Sequence, residues 1–302
     1  WFRRGKNRQD SRPDVRKGAG GSALGVPDPM TADEIREEAA TPAALFGFAA
    51  LTVALVLSVF APYLVILPLV LFIICCLIAS FLPGVSFFLP ANSRGNTGKP
   101  VVALTFDDGP DPTTTPWLLD LLETQGLKAT FFVTGERVAG HPELVRAILE
   151  KGHDIGNHSY SHDVLLMLRT MKRLSGEVQK TQEQLRRFGI VPLAFRPPVG
   201  ITNPKLAVVL HRQGLFCVNF SCRAWDGGNR FVRGMNHRIL NKVRPDDIIV
   251  LHDTCPPGTV KSREWQAEIV SILTGLQEKG LQIIPLAALL GKSIMVRTTN
   301  DG

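Results

Sequence analysis

Between Ala43 and Phe81 nearly every position is apolar and none carries a charge. A straight helix over that stretch would run roughly 58 Å at about 1.5 Å per residue, against a bilayer core of about 30 Å. One simple span is too short an account of it. Pro62 and Pro68 divide the run, and Tyr63 between them suits a membrane–water interface. The pattern predicts a membrane anchor over residues 43–82, in contact with lipid. It forms either a hairpin of two short spans or one span followed by an interfacial segment. A cleavable secretory core is shorter, roughly 7 to 15 residues, so release by cleavage is not expected.

After a polar linker at residues 83–98, the pattern changes to short alternating units. Apolar runs at 101–106, 129–134, 153–156, 193–195, 216–220, 247–251 and 282–285 predict strands. Amphipathic patterns between them predict helices near 115–125, 142–151, 172–188, 204–213, 231–242 and 263–279. Glu177, Lys180 and Glu183 are expected to form a charged solvent stripe on the third helix. Repeated β-then-α units imply parallel strands covered by helices, hence an α/β barrel or doubly wound sheet. Seven strands in residues 99–291 suit a small (β/α) barrel, and no Gly-x-Gly-x-x-Gly follows the first strand. Residues 292–302 read as a C-terminal tail, and residues 1–42 as a polar, disordered N-terminal one.

Charge adds little. Residues 1–91 hold 8 basic and 7 acidic side chains, residues 92–302 hold 26 and 20, and no basic face with interleaved aromatics suggests nucleic acid. Nothing indicates a protein partner. Of five cysteines, Cys75 and Cys76 lie in the apolar run, and the other three contain no CxxC pair or disulfide framework.

Chemistry gathers at the predicted C-terminal ends of the strands, where α/β folds place their sites. Asp107 and Asp108 follow the first strand, His158 and His162 the third, Arg196 the fourth, Arg223 and Asp226 the fifth, and His252 the sixth. Two adjacent carboxylates resist joint ionisation unless a cation or an arginine is near. The two imidazoles are four residues apart, which on a helical turn would put them on one face. With one aspartate they make three ligands and leave a position open, the pattern of a catalytic metal site. The second aspartate is then free to take a proton, Arg196 can pair with it, and His252 is placed to act as a general acid. His141, His153, His211 and His237 lack such company and read as structural.

Residues 105–110, 158–162, 196–200 and 251–252 resemble, in order and spacing, successive motifs of the polysaccharide deacetylases, carbohydrate esterase family four. The resemblance implies a deformed (β/α) barrel of about seven strands and a divalent metal, usually zinc. It implies Asp107 as base, Asp108, His158 and His162 as ligands, Arg196 as orienting group and His252 as acid. It further implies that the Val199 amide helps hold an oxyanion, that Leu251 lines the acetyl pocket, and that Trp225 contacts substrate. Two departures stand out. Val199 replaces an aromatic residue, and residues 221–226, Ser-Cys-Arg-Ala-Trp-Asp, lack both aspartates of the usual Asp-x-x-Asp-Trp. Arg223 and Asp226 are the candidates to supply an alternative supporting shell.

The implied activity is removal of N-acetyl groups from a glycan such as peptidoglycan or chitin, by a domain outside the cytoplasm. A degenerate carbohydrate-binding module and a hydrolase of another amide or O-acetyl ester are the alternatives.

Overall fold

The structure is a computed structural model that describes residues 41–256 and 258–298. The predicted N-terminal tail lies outside these residues except for its last two positions.

The apolar run folds as two helices, α1 (Pro42–Phe60) and α2 (Ile66–Ser80), joined by a single 3-10 turn. Thr41 caps α1, its Oγ1 accepting from Ala44 N at 3.3 Å, and Pro42 occupies the first turn, where a missing N–H costs nothing. Pro62 stops α1, because the residue before a proline disfavours helical backbone. Pro68 lies in the first turn of α2 and does not break it. The Phe72 ring packs where a Cβ on Gly47 would sit, 3.1 Å away, so the two helices lie against each other. Both the 42–60 helix and the 62–80 segment are long and apolar enough to cross a membrane, and each is only 6 % buried. The two helices form a hairpin.

Next in the chain come β1 (Ala91–Asn92), β2 (Val101–Asp107), α3 (Thr115–Thr124), β3 (Thr130–Val133), α4 (Gly135–Gly140), α5 (Pro142–Glu150) and β4 (Asp154–Asn157). They are followed by α6 (Met171–Arg186), β5 (Ile190–Pro192), β6 (Ala194–Phe195), α7 (Pro204–Arg212), β7 (Phe216–Val218) and β8 (Cys222–Arg223). The chain closes with α8 (Met235–Leu240), β9 (Ile248–His252), α9 (Thr259–Glu278), β10 (Gln282–Ile283), α10 (Leu286–Leu290) and β11 (Met295–Arg297). The main sheet runs β1-β7-β6-β4-β3-β2-β9-β8, with β10 beside the start of β2, and every pair in it is parallel. It curls into a barrel left open between β1 and β8. Across the opening the Arg94 guanidinium donates to Asp247 Oδ1 at 2.6 Å.

Helices cover the outside because the strands are apolar on both faces: β2 is buried from end to end. Phe106, Phe131, Leu118, Leu122, Ile148, Trp265 and Ile269 form the core under α3, α5 and α9. A second core joins Leu166, Met167, Leu174 and Leu206 to Ala79, Phe87, Phe88 and Leu89.

Several expectations are corrected here. Residues 83–98 are not a free linker, because Phe87, Phe88 and Leu89 are buried and Ala91–Asn92 pairs with β7. Met295–Arg297 pairs antiparallel with Ile190–Pro192, so the C-terminal segment is part of the fold as far as it is described. These strands are two or three residues long and escape a period-2 search. The 231–242 helix is shorter than expected, since Gly234 takes φ 77 and α8 begins only after it. The charged stripe fails at Glu177, which is buried. His153 is structural: its Nδ1 accepts from Ala129 N at 3.2 Å, and burial pushes its pKa down to about 4, leaving it neutral.

Candidate active site

Sheet register builds the site. Asp107, the last residue of β2, pairs with His252, the last of β9, and with Phe132 of β3. Asn157 pairs with Phe195, so the two residues that follow, His158 and Arg196, emerge side by side. All six groups of interest therefore open into one cleft of about 1000 Å³ at the C-terminal ends of the strands. Asp107, Asp108, His158, His162, Asp226 and His252 line it, and Arg196 lies beneath.

Asp107 and Asp108 have different surroundings. Asp107 Oδ1 accepts from Arg196 Nη1 at 2.6 Å. The guanidinium is fully buried and spends its other donors on Thr105 Oγ1 (2.7 Å), Asn219 O (3.1 Å) and Val218 O (3.4 Å). It also lies over the Phe132 ring, 4.0 Å from the centroid. Burial works to lower the arginine's pKa, and the Asp107 charge opposes it. Asp108 turns the other way. Its backbone takes φ 73, and Oδ1 reaches to 3.3 Å from His158 Nε2 and 3.1 Å from His162 Nε2.

Those three atoms fit a divalent cation. Asp108 Oδ1 is buried and has no hydrogen-bond partner. His158 Nδ1 donates to Arg196 O at 2.8 Å, which fixes the proton there and leaves Nε2 with its lone pair toward the cluster. Burial, reinforced by His158, holds the pKa of His162 down, which favours the neutral imidazole that a metal ligand must be. All the candidate ligand atoms lie within 4.8 Å of one another. A carboxylate and two imidazoles with space in front suit a catalytic zinc-type ion.

The histidines do not sit on a helical turn. Residues 158–163 form a loop in which Ser159 (φ 65) and His162 (φ 52) are left-handed. The spacing of four succeeds because the loop doubles back, and side chains hold it there. Asn157 Oδ1 accepts from Ser159 N at 2.9 Å. Glu177 Oε2 accepts from Tyr160 N (3.1 Å), Ser161 N (2.8 Å) and Ser161 Oγ (2.9 Å), and its other oxygen pairs with Arg173 at 2.9 Å. Glu177 was missed as a functional residue. Its signal was its spacing from Leu174, Val178 and Thr181, which puts it on the buried face of α6.

On the opposite wall, Asp226 Oδ2 lies 2.7 Å from His252 Nδ1. Burial would lower the pKa of His252, but the Asp226 hydrogen bond and charge overcome it and push it up to about 9. The imidazolium is thus the neutral-pH form. Burial opposes ionisation of Asp226, and the bond from His252 keeps its pKa below the ordinary value. Asn229 braces this wall, its Nδ2 donating to His252 O (3.0 Å) and Thr254 O (2.7 Å).

Arg223 lies near enough to Asp226 for that charge to oppose the lowering of its pKa by burial. Its guanidinium stacks on Trp225, 3.2 Å from the ring centroid, and so braces an aromatic wall. Leu251 is misplaced by the sequence reading. Strand alternation turns it into the core under the helices, whereas Val250 and His252 line the cleft. Period two counted back from His252 selects Val250. Val199 lines the cleft in a left-handed conformation at φ 54, with its side chain 46 % exposed.

Residues 94–218 match the family model for polysaccharide deacetylase. A peptidoglycan-N-acetylglucosamine deacetylase of Bacillus cereus is 32 % identical over 195 residues, 63 % of this chain and 88 % of that one. A chitooligosaccharide deacetylase of Bradyrhizobium is 32 % identical over 212 residues, 67 % of this chain and 96 % of that one. Among solved structures, a peptidoglycan N-acetylglucosamine deacetylase superposes with a TM-score of 0.62 at 31 % identity, covering 68 % of this chain and 94 % of the other.

The role of Glu177 is open to direct test. Glu177→Ala frees the 158–162 loop and is expected to weaken binding of a divalent metal about 10- to 100-fold, as loss of a ligand-orienting partner does. Calorimetric zinc titration reads this, and an unchanged affinity would refute the bracing role.

Proposed function

This chain belongs to the polysaccharide deacetylase family, and from that premise we propose that it is a membrane-anchored, metal-dependent deacetylase of N-acetylated glycans. The observation that carries the reading is the convergence on one cleft of a carboxylate held by arginine, a carboxylate–bis-imidazole cluster and a carboxylate-paired histidine.

Asp108, His158 and His162 are the residues that would hold the metal, which we take to be zinc from its donor set. Bound there, it would supply Lewis acidity to the acetamide carbonyl and lower the pKa of an adjacent water. Asp107 accepts the proton of the attacking water. Arg196 fixes one of its oxygens at 2.6 Å, so the other is the one that works. The Val199 amide is assigned to the developing oxyanion. His252 gives its proton to the departing nitrogen as the C–N bond breaks, yielding free amine and acetate. Asp226 keeps that proton in place until it is needed, although it stands two residues beyond the position of the usual motif's second aspartate.

Acetate release from chitooligosaccharides and from peptidoglycan fragments, with and without a chelator, tests the activity. Asp107→Asn and His252→Ala should each cut kcat by about 10²- to 10⁴-fold with zinc still bound, whereas Asp108→Ala should lose the zinc. Acetate release by Asp107→Asn at the parent rate would remove it as the base. The Asp226→Asn variant lowers the pKa of His252. Because the protonated form is the acid, the alkaline limb of kcat/KM should move to lower pH. A limb that stays put would dissociate Asp226 from the proton donor.

We also propose that the hairpin holds the domain outside the cytoplasm, a placement supported by the wall glycans named for its relatives. Cys255 is exposed, while burial pushes the Cys217 and Cys222 thiols up to about 12 and leaves them unreactive at neutral pH. A membrane-impermeant maleimide should therefore label Cys255 in intact cells. Labelling only after permeabilisation would put the domain inside.

A further inference from the structure

The anchor is built into the cleft side of the barrel. Phe87 O accepts from Ala43 N at 3.0 Å, and Ser80 O accepts from Thr202 N at 3.2 Å. The Phe46 and Phe87 rings lie 5.9 Å apart, and Ala79 shares a core with Leu166 and Met167. The docking partners, residues 166–167 and 200–202, belong to the loops that carry His162 and Val199. A Cβ on Gly200 would come within 3.3 Å of Pro83 Cγ, so little space separates the hairpin base from the cleft wall. The second helix meets the rim of the site at Thr202, and the start of the first lies along α7, where Thr41 shares a cavity with Ala207, Leu210 and Phe216.

The remaining apolar surface has the same address. Beyond residues 42–85, the exposed large hydrophobic side chains among the described residues are Val164, Leu165, Leu168, Met171, Val199, Trp225, Phe231, Val270 and Val296. All but the last two lie in, or directly follow, loops at the C-terminal ends of the strands. Leu168 is 78 % exposed and Phe231 68 %. Sugar stacking could account for Trp225 and Phe231, but Leu165 and Leu168 do not line the cleft. Exposed Lys172 and Arg230 lie on this rim without an ion pair among the described residues. Apolar side chains beside Lys172, Arg230 and the exposed Glu136, continuous with two helices long and apolar enough to cross a bilayer, make an amphipathic surface of the kind that rests in a headgroup layer.

We propose that the rim of the cleft lies on the bilayer into which the hairpin is inserted, and that the N-acetylated sugar it receives is tethered to a lipid in that leaflet. This rests on the deacetylase reading above and names its substrate class. A cleft turned toward the membrane is hard for a thick polymer to enter, whereas a lipid-linked saccharide reaches it by lateral diffusion. Confinement of enzyme and substrate to one surface raises their effective concentration without any new contact.

The full chain in lipid nanodiscs, loaded with zinc, provides the test. Chitotetraose conjugated to a phospholipid in the same disc is compared with free chitotetraose by acetate release. The conjugate should be preferred by about 100-fold in kcat/KM. The Leu165→Asp, Leu168→Asp double variant should lose that preference while keeping its rate on free chitotetraose. Brominated lipids should quench the part of the tryptophan emission that Trp225→Phe removes. Equal kcat/KM for the two substrates, an unaffected double variant or an unquenched Trp225 would each overturn the proposal. No acetate from either substrate sinks the deacetylase reading and the substrate class with it, and the quenching still decides where the rim lies.

Discussion

The buried pair of Asp107 and Arg196 is the constraint on which the rest depends. An arginine with no exposed surface is costly unless its donors are all used. Here four of its five N–H groups reach β2 through Thr105 and Asp107, and the end of β7 through Val218 and Asn219. The pair crosses the interior of the barrel and ties its strands together at the level of the site. The same contact makes the two aspartates unlike. One faces a permanent cation of the protein, and the other faces two imidazoles.

Around that rigid centre the working groups stand on strained loops. Asp108, Ser159, His162, Val199, Trp225 and Asn229 all have positive φ, and each borders the cleft or holds its wall. Left-handed backbone costs a non-glycine residue on the order of 1 kcal/mol or more. The cost is met by buried side-chain hydrogen bonds: Glu177 and Asn157 under the histidine loop, and Asn229 under His252. Left-handed turns let single residues aim inward from strand ends that otherwise point along the barrel axis. The site is precise because these loops are overdetermined by their supports.

The helical hairpin belongs to the same design. Phe87, Phe88 and Leu89 continue the second core into the base of the hairpin, so the barrel cannot tumble freely on a tether. That continuity fixes the hairpin relative to the cleft, beside whose rim the exposed Leu165 and Leu168 stand.

Periodicity and composition by themselves determined the long apolar segment, the parallel α/β class and the strand ends where chemistry collects, but not whether that segment is a hairpin. The reason is that burial against helices or lipid demands unbroken apolar runs, and turn-forming residues must interrupt them. Residue type and order also singled out Asp107, Asp108, His158, His162, Arg196 and His252. Only the tertiary structure decided what supports them. Glu177 looked like one charge in a solvent stripe until the loop packed over it, and Leu251 looked like pocket lining until the pleat turned it outward. Arg223 and Asp226 stood together in the chain, yet one braces Trp225 and the other holds His252. Short strands such as Ala91–Asn92 and Cys222–Arg223 exist because partners already in place offer hydrogen bonds to them. Such partnerships are set by distance in space, and no local pattern of side chains records them.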